Sequence, residues 1–343
     1  MGALPKNALP RVAKTTSAAV VGAGIAGLSC ARALSEYGLE VTVYDKARGL
    51  GGRASTRRVE PDFAFDHGAQ YFTARNAYFV QLVETLRAHG CVAEWGGRIV
   101  KLENGEATDT SPQPRFVGVP GMSAVAAHLA ADLNICRELR IDRIVRESGA
   151  WELTDATGKR FGPFQFLVLS LPAPQSAVLL GSHPFAVEVA GVAMAPCWAV
   201  LVAFEDRLEV PWDGAFVSGS LLSWVARNCS KPGRPSGAEC WVLHASPAWS
   251  AATLEASPDA IVSQLLVAFE TAVGRSLPNV VCRAAHRWRY SLGADPAERA
   301  VLFDAEAGLA MCGDWLSGGR IEGAFLSGTE GAARILRELG IPK

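Results

Sequence analysis

Gly22, Gly24 and Gly27, with Asp45 following 23 residues after the first of them, are spaced to hold the pyrophosphate and ribose of a dinucleotide. The first glycine lets the chain turn sharply. The second leaves room for a phosphate beside the backbone, and the third lets a helix lie close to a strand. Ile25 and Ala26 complete the turn. A helix that starts there offers free N–H groups and partial positive charge to phosphates, while Asp45 can accept hydrogen bonds from a ribose hydroxyl.

These residues work only if regular elements hold them. A β-favouring run enters Gly22, a helical pattern follows, and a second strand from Glu40 to Tyr44 ends at Asp45, so strand, turn, helix, strand and acid come in the required order. Just beyond, Lys46 opens the run Lys-Ala-Arg-Gly-Leu-Gly-Gly-Arg, whose last residue, Arg53, offers a guanidinium to phosphate oxygens. This second glycine-rich element resembles the opening of amine-oxidase superfamily flavoproteins and points to FAD rather than NAD.

Residues 309–335 return to nucleotide chemistry. A short strand reaches Gly313 and Asp314, a loop carries Gly318, Gly319 and Arg320, and a helix opens near Glu322. Asp314 could reach ribityl or pyrophosphate groups, and the helix start could face the flavin edge where negative charge gathers on reduction. Read alone, the small residues could equally serve tight packing.

Composition bounds the reading. With 343 residues, 49% hydrophobic and 20% charged, the chain is globular and long enough for two lobes. A net charge of −1 argues against nucleic acid or an anionic membrane as partner. Eight scattered cysteines without a C-x-x-C pair read as reduced thiols of a cytoplasmic protein, and no metal site is expected. No run of 18 apolar residues exists to span a bilayer, and residues 1–14 read as a loose extension. A monomer is expected.

Helical patterns occur from about Asn76 to His89 and after Gly121, the latter with Met122, Val125, Ala126 and Leu129 on one face. Arg140–Arg146, Ala150–Thr154 and Gln165–Leu171 read as closing strands of the nucleotide lobe. Between Ala195 and Tyr290, four β-rich runs suggest an antiparallel sheet, interrupted by a helix from Pro258 to Val273 with Ser257 as N-cap. The expected fold is α/β. A Rossmann-type FAD-binding lobe of the glutathione-reductase-like kind (15–75, 115–175 and 300–343) carries an inserted antiparallel-sheet substrate lobe (76–114 and 176–299).

Taken together, VVGAGIAGL, DKARGLGGR, FDHGAQYFT, PGMSAVAAHLA, LSLPAPQ, HRWRYS and CGDWLSGGRIEGAFLSG closely resemble the renalase group of the flavin amine-oxidase superfamily. The resemblance spans nearly the whole chain beyond Ser17. It implies that Ile25, Ala26, Asp45, Lys46 and Arg53 hold the adenosine and pyrophosphate end, with the backbone of Ile141 at the adenine. By the same resemblance Gly68, Ala69 and Gln70 lie beside the isoalloxazine, and Gly313, Asp314, Ile321 and Glu322 serve the ribityl and pyrimidine end.

Two departures separate the chain from true amine oxidases. The strand run Cys197–Phe204 lacks the lysine that those enzymes bind through water to flavin N5, and the only lysine between Arg160 and Ala300 is Lys231, in a turn-rich segment. The cysteine setting that tethers flavin in monoamine oxidases is also missing, which implies noncovalent FAD.

Alternation along Ala285–Tyr290 puts His286, Trp288 and Tyr290 on one face and Arg287 and Arg289 on the other. Such a face could stack a flat ring, or simply fill a core. His244 shares a face with Cys240 and Val242, which suits a core histidine, yet its place in Trp-Val-Leu-His-Ala resembles the flavin-facing histidine of renalases. Trp288, Tyr290 and His244 are thus the candidate catalytic residues. The implied reaction takes hydride from misreduced dihydronicotinamide dinucleotides, restoring NAD(P)+ and reducing oxygen to hydrogen peroxide. Amine oxidation and a non-catalytic flavin-binding redox sensor are the alternatives.

Overall fold

The computed structural model describes residues 16–60, 62–103, 105–235, 237–293 and 299–341, so the extension expected at 1–14 lies outside the described residues. The chain divides into two compact units, one from Met1–Gly52, Ala126–Ala193 and Asp295–Lys343, the other from Arg53–Val125 and Met194–Ala294.

The first unit is built on a six-stranded sheet in the order Leu302–Asp304, Leu309–Met311, Phe166–Leu169, Ser17–Val21, Glu40–Tyr44 and Asn134–Cys136. Neighbouring strands run parallel except for the first pair. Ala18, Ala19 and Val20 in the central strand are fully buried, which is why it reads as an unbroken apolar run. Helices Ile25–Glu36 and Ile321–Glu338 pack closely because Gly328 has no Cβ to meet the carbonyl oxygen of Ala26.

The three segments expected to close the nucleotide lobe all fall in the first unit, but they divide between two sheets. Ile141–Glu147 and Ala150–Asp155 form, with Arg160–Phe164, a separate antiparallel sheet. Asp142, Arg143, Arg146 and Glu147 make the first of these strands too polar to be covered on both faces. Phe166–Leu169, apolar throughout, joins the parallel sheet instead.

A seven-stranded sheet organises the second unit, in the order Val280–Gly293, Met194–Phe204, Glu239–Ala245, Leu222–Arg227, Gly214–Val217, Ile99–Glu103 and Glu106–Asp109. All its pairs are antiparallel except Gly214–Val217 with Ile99–Glu103. One face carries Trp198, Val200, Val202, Trp241 and Leu243, packed with Leu265 and Phe269 of helix Pro258–Val273. The opposite face, with Leu201, Ala203, Cys240 and Val242, packs against Phe65 from the hairpin Thr56–Val59/Phe63–Asp66.

Helix ends follow their capping residues. Asn76 accepts from the Tyr78 amide before helix Ala77–Ala88, and Ser257 accepts from the Ala260 amide before Pro258–Val273. In helix Ser123–Leu129 the predicted apolar residues Val125, Ala126 and Leu129 are all buried.

Contacts divide the chain at other points than the sequence suggests. Residues 53–75 group with the second unit, where Asn228 donates to the Ala64 carbonyl and accepts from the Asp66 amide. Residues 176–193 group with the first, where His183 Nε2 lies 3.2 Å from an Asp304 oxygen. Among the described residues no helix is long and apolar enough to cross a membrane.

Candidate functional site

In the first unit the three glycines of the opening turn have different roles. Gly22 adopts φ +112°, donates to the Tyr44 carbonyl at 2.8 Å, and leaves no room for a Cβ against the Ser170 carbonyl. At Gly27 a Cβ would run into the Gly22 carbonyl oxygen. Gly24 is the opposite case: a Cβ there would enter open space. It is also the N-cap of helix Ile25–Glu36, with no side-chain cap over the first amides.

Asp45 ties this turn together. Its Oδ2 accepts from the Ala23 amide at 2.6 Å and its Oδ1 from the Ala47 amide at 2.7 Å. The carboxylate is therefore engaged by backbone already, but two oxygens keep lone pairs for a ribose hydroxyl. The Gly51 amide donates to Ala23, bringing the second glycine-rich run against the first. Leu139 donates to the Asp45 carbonyl, which sets the start of the strand at Ile141 beside the acid. Lys46 is exposed on the same turn.

The C-terminal motif takes the expected form. Strand Leu309–Met311 leads to Gly313, whose amide donates to Ser327 Oγ, and to a single helical turn, Asp314–Leu316. Helix Ile321–Glu338 then begins, again without a side-chain cap, with Ile321 buried and Glu322 in its first turn. Two uncapped helix starts offer amide donors, a glycine faces open space, and an anchored acid offers an acceptor, a set that suits a dinucleotide's pyrophosphate and ribose.

In the second unit the chain turns tightly at 66–70. The Ala69 amide donates to the Arg53 carbonyl at 2.8 Å, and Gly68 must be glycine because a Cβ would strike that same carbonyl. Arg53 Nη1 reaches the Ser291 carbonyl at 2.9 Å. The His67 carbonyl accepts from Trp288 Nε1 at 2.9 Å and lies 3.2 Å from His244 Nε2. Donation by His244 places its proton on Nε2.

Rings gather around this turn. His67 and His286 have centroids 4.7 Å apart, His67 and Trp288 4.8 Å, and His286 and Trp288 4.2 Å. Strand register explains the row: Trp224 pairs with His244, His244 with Ala199, and Ala199 with His286, the alanine leaving space between two histidines. His244 and Trp288 are thus brought to one turn with Gly68. Beyond Trp288 the pairing register shifts between Ala195 and Cys197, which breaks the alternation expected to carry Tyr290, and no ring contact joins Tyr290 to them among the described residues. Arg287 and Arg289 lie on the other face, paired with Glu255.

The histidines are held neutral. Burial pushes His67 down to about 3, aided by His286 and Arg57, and pushes His244 and His286 down to about 4. His67 Nδ1 is buried without a hydrogen-bond partner.

Beneath the turn lies an ion cluster that sequence reading did not find. Asp66 is fully buried and accepts from Lys231 Nζ at 3.2 Å, from Arg234 Nη2, from the Met122 amide at 2.9 Å and from Thr56 Oγ1 at 2.8 Å. Burial alone would raise its pKa, but Lys231 and Arg234 outweigh that and hold the carboxyl below its usual range. Lys231, fully buried, is pushed down to about 8 by that burial, against the pull of Asp66. The acid inside FDHGAQ was the available signal, since a buried carboxylate requires a cation and residues 176–299 hold one lysine. A cavity of about 530 Å³ borders this cluster through Asn228 and Arg234, but none of the three clustered rings lines it.

Comparison with known proteins gives two family matches. Residues 20–86 match an NAD(P)-binding Rossmann-like domain, and residues 102–336, more than half of the chain, match the flavin containing amine oxidoreductase family. Over 59 residues the chain is 42% identical to an L-amino-acid oxidase of Pseudechis australis, a match spanning 17% of this chain and 11% of that relative. Among solved structures, a protein assigned as a protoporphyrinogen oxidase from Exiguobacterium sp. 255-15 has a TM-score of 0.77 at 14% identity, over 94% of this chain and 99% of that one. Cyclohexylamine oxidase from Brevibacterium oxydans IH-35A gives 0.74 at 12%, over 95% and 100%. Putrescine oxidase bound to putrescine gives 0.69 at 13%, over 94% and 99%. These structural likenesses establish the fold.

Proposed function

This chain belongs to the flavin containing amine oxidoreductase family, and from that premise we propose that it is a FAD-dependent oxidase that takes hydride from misreduced dihydro-NAD(P) isomers. The products are NAD(P)+ and hydrogen peroxide. Bound FAD supplies the two-electron acceptor and the reaction with oxygen. Its hold is noncovalent. The residues for it are the turn Gly22, Gly24, Ile25, Ala26 and Gly27, then Asp45, Lys46 and Arg53, with the Ile141 backbone at the adenine. Gly313, Asp314, Ile321 and Glu322 serve the ribityl and pyrimidine end, and Gly68, Ala69 and Gln70 the reacting ring.

The observation that carries this reading is the neutral aromatic cluster in the second unit. Trp288, with Tyr290 further along the same strand, offers surface for a flat ring, while His244 and Trp288 fix the turn through the His67 carbonyl. No base is needed when hydride leaves a dihydropyridine, because the ring becomes aromatic as it goes, so catalysis rests on positioning. The arrangement suits that need. His67, His244 and His286 stay neutral, and the carboxylate beneath them, Asp66, is committed to two cations.

A second reading, amine or amino-acid oxidation, has its own support. The comparisons favour it more directly, since an L-amino-acid oxidase and two amine oxidases are among the similar proteins and none acts by name on a dihydronicotinamide. Against it, Met194–Phe204 carries no lysine and Lys231 is bound to Asp66.

Steady-state assays separate the two. Borohydride-reduced NAD isomers, a panel of amines and a panel of L-amino acids are each supplied in air, with peroxide and NAD+ quantified. The proposal expects peroxide and NAD+ in equal amounts from the isomers and little peroxide from the rest. Peroxide from amines or amino acids only would replace it with the second reading.

A further inference from the structure

Gln70 sits at the end of the 66–70 turn with both ends of its amide committed. Its Nε2 donates to the Asp66 and Gly68 carbonyls, and its Oε1 accepts from Lys231 Nζ at 3.1 Å. The orientation follows from chemistry: an ammonium only donates, so it must face the amide oxygen, which turns the amide nitrogen toward the turn's carbonyls. Lys231 also bonds Asp66 and, at 3.4 Å, Asn228 Oδ1, and its ammonium lies over the Trp95 ring. It therefore holds the turn by both its first and last residues.

Charge within the cluster does not balance. Lys231 and Arg234 are both buried, and among the described residues Asp66 is the carboxylate paired with either of them. One positive charge remains beneath the turn. A buried excess charge acts at low effective dielectric and favours negative charge developing nearby.

We propose that Lys231 is a positioning residue for the 66–70 turn, acting through Gln70, and that the excess positive charge it shares with Arg234 favours the reduced cofactor. This rests on the reading above that the turn serves the flavin. Accepting hydride, two electrons and one proton, adds one negative charge to the flavin, which is the sign the cluster stabilises. No residue of the cluster gains or loses a proton in that step. The role differs from that of the strand lysine of amine oxidases, because Lys231 is sealed below the turn and bound to Asp66.

The test uses the full chain with three substitutions, Lys231→Met, Lys231→Gln and Gln70→Leu, and the double variant Lys231→Met/Gln70→Leu. In the FAD-loaded protein the midpoint potential is measured by dye equilibration, and in the protein without added FAD hydrogen exchange is followed at the amides of 66–70. Lys231→Met is expected to make flavin reduction at least tenfold less favourable, to speed exchange in the turn, and to lower kcat with little change in KM. Lys231→Gln keeps a donor but no charge. It should preserve much of the exchange protection while lowering the potential as Lys231→Met does. The double variant should exchange no faster than the faster single variant, because both changes break one link.

Potentials within twofold of wild type, expressed as the equilibrium ratio, in both lysine variants would overturn the charge argument. Unchanged exchange in Lys231→Met would overturn the positioning role. If Lys231→Met fails to fold, Lys231→Gln and Gln70→Leu carry both readouts. A wild-type chain that takes up no FAD overturns the functional reading and the charge argument with it, whereas exchange still decides whether Lys231 holds the turn.

Discussion

The two tight turns of this molecule solve similar problems by different means. The Gly22–Gly27 turn of the first unit is made of backbone: glycines fit where a Cβ would clash, and one acid bonds two amides on either side of it. The 66–70 turn of the second unit is made of side chains. Gln70 folds its amide back onto the Asp66 and Gly68 carbonyls, Lys231 holds the Asp66 and Gln70 side chains, and His244 and Trp288 reach the His67 carbonyl from strands far away in sequence. A turn that must leave its amides open to a ligand uses glycine and little else. One that must be rigid around a reacting group is locked by distant partners.

Breaking the second turn should have the largest effect. Asp66→Asn strands two buried cations, Lys231 and Arg234, with a neutral partner, and is expected to lower stability by about 3–5 kcal/mol in chemical denaturation. A loss under about 1 kcal/mol would mean the cluster is not sealed as described.

The glycine turn divides into a structural and a binding position. Gly22→Ala forces a Cβ onto the Ser170 carbonyl at a backbone angle of +112°, and a loss of roughly 2–4 kcal/mol is expected. Gly24→Ala has room, in an extended conformation at φ −76°, so its melting temperature should match wild type while FAD affinity falls at least about tenfold. Equal loss of stability at both positions would erase the distinction.

Trp288→Phe keeps a ring but removes the hydrogen bond to the His67 carbonyl. His244 still serves that carbonyl, so stability should drop by only about 1 kcal/mol, with kcat falling more than KM rises. Smallest of all is the pH effect. The three histidines have folded pKa values of about 3 to 4 against 6.5, so the unfolded chain binds more protons between those values. Their contribution to stability is therefore lost as pH falls below 6.5, whereas the rate of flavin reduction should stay level from about pH 5 to 7, below the range where Lys231 loses its charge. A rate step near pH 6.5 would show a histidine titrating in the reaction.

What could be read from sequence follows the same division. The glycine turn, Asp45, the helix from Asn76 and the Ser257 cap were legible because their partners lie within a few residues or one βαβ unit. Alternation placed His286 and Trp288 together, since a strand fixes its faces whatever surrounds it. Lys231 was not legible as a partner of Asp66, because 165 residues separate them and nothing local marks a lysine in a Pro-Gly-rich loop as buried. The strand at Ile141 was legible as a strand of the first unit, but not the sheet it joins, because that is decided by which faces must be covered.

The central claim is that a flavin held by the glycine turn is reduced by a dihydronicotinamide ring. Anaerobic mixing of the FAD-loaded protein with borohydride-reduced NAD isomers, followed by flavin absorbance, tests it in a single turnover. The account predicts rapid bleaching with these isomers, with no bleaching by amines, and slower bleaching in Trp288→Phe. Flavin that stays yellow with every isomer, or a protein that holds no flavin, would contradict it.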